Sequence, residues 1–127
     1  MLFDTNILVS SLITPTGNTA TVLGLLWRNR LVSYYTSEIY AEYTNVLFRK
    51  KFEDLRDDVV PLLRRFVAKS IVMPQPFGTT KLVDEKDEIF YDAAKFYGLT
   101  LITGNIKDFP PASFIMTPAE FLRRFNF

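Results

Sequence analysis

Residues 1–13 read MLFDTNILVSSLI, and this stretch decides the class of fold. An apolar run from Met1 to Phe3 stops at Asp4-Thr5-Asn6, and apolar character resumes from Ile7 to Ile13. A short apolar segment closed by polar residues is the pattern of a buried strand whose C-terminal end opens on solvent. Working outward, Leu31–Tyr35, Ile71–Met73, Leu99–Ile102 and Phe114–Met116 are further short apolar or β-branched segments. Between them the apolar positions take helical spacing: Thr19–Arg30, then Thr36 or Ser37 to about Lys51, Leu55–Lys69, Glu88–Tyr97 and Pro118–Phe125. Gly98 supplies a left-handed stop, and Thr117-Pro118-Ala119-Glu120 is a capping box with proline at the first helical position. Strands that are apolar throughout and alternate with helices require a parallel sheet covered on both faces. We therefore expect one three-layer α/β/α domain over residues 1–127, with five strands.

Composition narrows the chemistry. Fifteen Lys and Arg face fourteen Asp and Glu, a net charge of +1 that excludes a strongly basic nucleic-acid binder but leaves local patches open. The chain has no Cys, which removes disulfides, thiolate zinc sites and cysteine nucleophiles. It has no His, which removes the imidazole base and most transition-metal sites. Hydrolytic chemistry must run on carboxylates, hydroxyls, Lys or a hard metal ion. Asp4 breaks the apolar start too early for a signal peptide, and no run of about 18 apolar residues offers a membrane span. The expected location is the cytoplasm.

The acids fall at particular places. Asp4 follows the first strand, Asp87 precedes a helix, and Asn105 and Asp108 follow the fourth strand. Glu42 lies one turn into the helix after the second strand, about 60° from its Ile39 centre at roughly 100° per residue. Ligands of open parallel sheets bind beyond the carboxyl ends of the strands. Carboxylates gathered there repel one another, and a hard divalent ion such as Mg²⁺, with its preference for oxygen ligands, removes the conflict.

Four stretches, in order, resemble one family. Phe3-Asp4-Thr5-Asn6-Ile7-Leu8-Val9-Ser10 looks like the opening motif of PIN domains, and Glu42-Tyr43-Thr44-Asn45-Val46-Leu47-Phe48-Arg49 like their second acidic motif. Asp84-Glu85-Lys86-Asp87-Glu88-Ile89-Phe90, followed by Ala93-Ala94, resembles the third, and Leu101-Ile102-Thr103-Gly104-Asn105-Ile106-Lys107-Asp108-Phe109 the fourth. The pattern is most similar to the PIN-type (VapC-like) toxin components of toxin–antitoxin pairs. The resemblance implies a Rossmann-like sheet of five parallel strands and an Mg²⁺- or Mn²⁺-dependent ribonuclease. It implies Asp4 and Asp87 as principal metal ligands, Asp108 as the fourth acid and a ligand, and Glu42 completing the catalytic site directly or through water. Asn6 and Thr103 would orient carboxylates or bound water. Many relatives carry Asp where this chain has Asn105, which can ligate through its amide oxygen but brings no charge. The implied partners are an RNA substrate, a cognate antitoxin and a second copy of the chain.

Each residue also has a plainer reading. Asp4-Thr5-Asn6 suits a polar turn, Asp87 an N-cap, and Glu42 a solvated helix position paired with Asn45 or Arg49. Asp84, Glu85 and Glu88 read as a solvated acidic loop. Among the basic clusters, Arg49-Lys50-Lys51 is the best candidate for RNA phosphate contacts. Tyr34, Tyr35, Tyr40, Tyr43 and Phe90 read mostly as core, with one or two free to stack on an unpaired base. Aromatics near Trp27 or Phe66 are candidates for a dimer face. A catalytically weak PIN-like module that binds RNA or protein is the alternative function.

Overall fold

A computed structural model describes residues 1–78 and 80–127. Its elements run β1 (Leu2–Phe3), α1 (Thr5–Ile13), α2 (Asn18–Trp27), β2 (Ser33–Tyr35), α3 (Ser37–Leu47), a 3₁₀ segment (Lys50–Leu55), α4 (Arg56–Ala68), β3 (Ser70–Val72), α5 (Glu85–Tyr97), β4 (Leu101–Ile102), a 3₁₀ turn (Ile106–Asp108), β5 (Ile115–Met116) and α6 (Pro118–Arg124). All strand pairings are parallel, as the alternation of strands and helices requires. β4 lies between β1 and β5, with Leu2 opposite Leu101 and Phe3 opposite Ile102.

The expected continuous five-stranded sheet does not form among the described residues. β2 and β3 make a separate two-stranded ladder. Among the described residues, hydrogen bonds join the two ladders at Met1, whose amine donates to the Val32 carbonyl at 2.7 Å and whose carbonyl accepts from the Tyr34 N–H at 2.9 Å. Leu2 and Phe3 of β1 pair in full register with β4, whereas toward β2 the bonds fall on Met1, just outside the strand, and no ladder develops.

The centre of the core is aromatic. Phe66 from α4 meets Phe3 edge-on at 6.2 Å and Tyr43 of α3 at 5.4 Å. Burying one such ring contributes roughly 1.5–3 kcal/mol. Phe66 is fully buried, so it cannot serve on a dimer face as the sequence suggested. Trp27 is half-buried beneath the Arg65 guanidinium, 4.5 Å from the ring.

Helix ends explain the other departures. α3 stops at Leu47 rather than near Lys51, and the following 3₁₀ segment turns Phe52 inward. α5 begins at Glu85, one turn before the expected start, because Asp84 caps it by accepting the Lys86 N–H at 3.0 Å. Gly98 closes α5 at φ 66°, the left-handed conformation that glycine adopts freely. Thr117 caps α6 through the Glu120 N–H, as its capping box demands.

Candidate active site

The site begins where β1 ends. Asp4 is the N-cap of α1, and its Oδ1 accepts the Thr5 N–H at 2.7 Å. Its Oδ2 accepts the Thr103 hydroxyl at 2.8 Å. Thr103 has left β4, which lies beside β1, so two neighbouring strand ends place the pair together. Only 5% of Asp4 is exposed, and Thr103 is fully buried. The Thr103 oxygen also accepts the Asn105 N–H at 3.1 Å. Asn6 reaches across the same gap, its Oδ1 accepting the Gly104 N–H at 2.9 Å. A Cβ at position 104 would come within 3.3 Å of that oxygen, which favours glycine there.

Asp87 arrives from a different element. It sits in the first turn of α5, and since Asp84 takes the capping role, the Asp87 carboxylate is not spent on the helix end. The N-cap reading of Asp87 is thereby corrected. Asp108 closes the 3₁₀ turn after β4, and its Oδ1 accepts from the Asn105 amide at 2.9 Å. Asp4, Asp87 and Asp108 each present a carboxylate oxygen, all three within 4.8 Å of one another. Asp4 is buried, Asp87 half-buried and Asp108 exposed, so the cluster runs from the core to the solvent.

This crowding has an electrostatic signature. Burial pushes Asp87 from the ordinary carboxylate range to about 7, and the charges of Asp4, Asp108, Asp84 and Glu42 push the same way. Burial also raises Asp4, against the hydrogen bonds from Thr103 and Thr5, with Asp108 and Glu42 adding to the rise. Tyr43 is held as a neutral phenol by complete burial and by the Asp4 charge, and its hydroxyl donates to the Phe3 carbonyl. Three mutually repelling carboxylates presented as oxygen donors fit a hard divalent cation, which favours such ligands and needs few of them.

A cavity of about 360 Å³ opens over the cluster. Glu42 lines it with the three aspartates but stands outside the group of oxygens that share a 4.8 Å neighbourhood. Arg49 and Lys51 line the same cavity and Lys50 does not. Lys86 and Phe52 also line it, and sequence reading missed both. Lys86 was hidden in an acidic run, although its place beside Asp87 was the available signal. Phe52 follows a basic cluster whose helical continuation the chain does not adopt. Phe90 lines the cavity but is buried, and Tyr34, Tyr35 and Tyr40 are partly buried against the core.

Comparison with known families decides what this arrangement belongs to. The family model described as the PIN domain matches residues 1–107, more than four-fifths of the chain; Asp4 and Asp87 lie within the match and Asp108 one residue beyond it. The chain belongs to the PIN domain family. PIN domains are generally metal-dependent nucleases, and Asp4, Asp87 and Asp108 form an acidic cluster that could bind a metal. No curated protein and no solved structure matches the chain significantly. Among the described residues, no helix is long and apolar enough to cross a membrane.

Proposed function

We propose that this chain is a metal-dependent endoribonuclease acting in the cytoplasm as the toxin of a toxin–antitoxin pair, folded as one domain over residues 1–127. The observation that carries the nuclease reading is the convergence of Asp4, Asp87 and Asp108 from three separate segments to within 4.8 Å. Asp4, Asp87 and Asp108 would hold Mg²⁺ or Mn²⁺. Such an ion would neutralise their charge and supply a nucleophilic water for phosphodiester hydrolysis. Asp4 is held for this work by Thr5 and Thr103, and Asn6 keeps the Gly104 loop against it. Glu42 adds negative charge from the cavity wall and acts through water. Arg49 and Lys51, on the same wall system, would grip flanking phosphates and confer affinity without sequence preference. Lys50, outside the cavity lining, would add affinity only at longer range. A cognate antitoxin and a homodimer follow from the toxin assignment.

The test is cleavage of a single-stranded RNA by purified protein with Mg²⁺ or Mn²⁺. Expected products carry a 5′-phosphate and a 3′-hydroxyl. Activity should vanish with chelator and in Asp87→Asn. Cleavage that persists in Asp87→Asn would remove the nuclease assignment. Asn105, which brings no charge where the resemblance implies Asp in many relatives, favours a second reading as a weak binding module. RNA binding without cleavage, undiminished in Asp87→Asn, would establish that reading instead.

A further inference from the structure

Asn105 occupies a position from which it reaches two of the three clustered acids. Its backbone N–H donates to the Thr103 hydroxyl oxygen, and that hydroxyl donates to Asp4. Its side-chain amide donates to Asp108 Oδ1 at 2.9 Å. The backbone around it is closed as well: the Asp108 N–H donates to the Asn105 carbonyl at 3.1 Å, and Gly104 is tied to Asn6. Asn105 is therefore a donor of fixed origin aimed at a carboxylate.

The residue type matters at this distance. A carboxylate can only accept, so the amide must turn its NH₂ toward Asp108. An ionised Asp at position 105 would have no proton to offer and would repel Asp108. The amide nitrogen that faces Asp108 is not a metal donor either. Hydrogen-bond partners standing behind metal ligands set ligand orientation, and their loss typically costs about 10–100-fold in metal affinity.

We propose that Asn105 is a positioning residue that aims Asp108 at the cluster and does not itself ligate the metal. This rests on the metal-site reading given under Proposed function. It also gives the uncharged residue at 105 a task, in place of a deficit.

The experiment is a double-mutant cycle read by Mn²⁺ calorimetry on the wild type, Asn105→Ala, Asp108→Ala and the double variant. Without metal, Asn105→Ala should leave the melting temperature unchanged, since the position is exposed, and Asp108→Ala should not lower it, since it removes a charge that repels Asp4 and Asp87. Asn105→Ala is expected to weaken Mn²⁺ binding about tenfold. In the Asp108→Ala background the same change should have no further effect. Equal losses in both backgrounds would mean that Asn105 meets the cation itself, and would overturn the proposal. Wild-type affinity in Asn105→Ala would overturn it too, while leaving the metal site standing. A wild-type chain that takes up no Mn²⁺ would instead sink the metal-site reading, and the positioning role with it.

Discussion

The two sides of the cavity are built by different means. On the strand side, Asp4, Thr103 and Asn6 lie at the ends of β1 and β4 and are locked by hydrogen bonds that span almost the whole chain. On the other side, Arg49 precedes a 3₁₀ segment, Lys51 lies in its first turn and Lys86 at a helix start, and all three are exposed. Lys51 leans over the Phe52 ring at 5.1 Å, a contact that leaves its charge in water. The strand side fixes atoms, whereas the opposite side supplies charge. Changes on the first should therefore be steep and specific to one atom, and changes on the second shallow and salt-dependent.

The largest break in this contrast is Asp4→Asn. The amide would turn an N–H toward either the Thr5 N–H or the Thr103 hydroxyl, both of which donate to Asp4. We expect Mn²⁺ affinity to fall by more than about a hundredfold, beyond the range seen for residues behind the ligands. Calorimetry checks it. Next comes Thr103→Val, which keeps the shape and removes the hydroxyl. It leaves Asp4 Oδ2 and the Asn105 N–H without their partner and should cost about 1–3 kcal/mol in urea unfolding.

A pH series sharpens the same contrast. Asp87 binds its proton more tightly in the folded chain, near pH 7, than in the unfolded chain, near the ordinary value of 3.8. Between these values the folded state holds the extra proton, so stability without metal falls as pH rises from about 4 to 7. Thermal melting should show that slope in the wild type, reduced in Asp87→Asn. Saturating Mn²⁺ should flatten it as well, by replacing the proton. The smallest effects belong to the basic side. Arg49→Ala and Lys51→Ala should each lower the slope of log affinity against log salt for RNA by roughly one contact. Lys50→Ala should change it less. Fluorescence anisotropy at several salt concentrations measures the difference.

Much of this was legible from the chain alone. The apolar runs before Asp4 and Thr103 marked two strand ends, and a parallel sheet puts such ends on one edge; that β1 and β4 are neighbours emerges from the fold. Asp87 and Asp108 were singled out, and the structure brings both beside Asp4, although the helix carrying Asp87 starts earlier than expected. Local signals there compete: Asp84 and Asp87 can both cap, and only the fold shows which does. The continuous sheet was over-read because five apolar segments do not reveal which neighbours share a ladder: β1 pairs with β4 and meets the β2 side through Met1. Phe66 illustrates another limit. A helix's apolar stripe shows which residues face inward, but not that one of them occupies the centre of the core. The bridges from Thr103 to Asp4 and from Gly104 to Asn6 join residues about a hundred positions apart, and no periodicity carries that information.

The peptide joining Phe3 to Asp4 is held on both sides. Its carbonyl accepts the Tyr43 hydroxyl, and its N–H donates to the Ile102 carbonyl at 2.9 Å. Both groups lie in the dry interior, where such bonds are hard to break. The bearing of Asp4 is thus set when the chain folds, independently of anything that later binds beside it. Each encounter then begins with one jaw of the site already in place, and the entropic cost of placing it is met once per folding event rather than once per binding event.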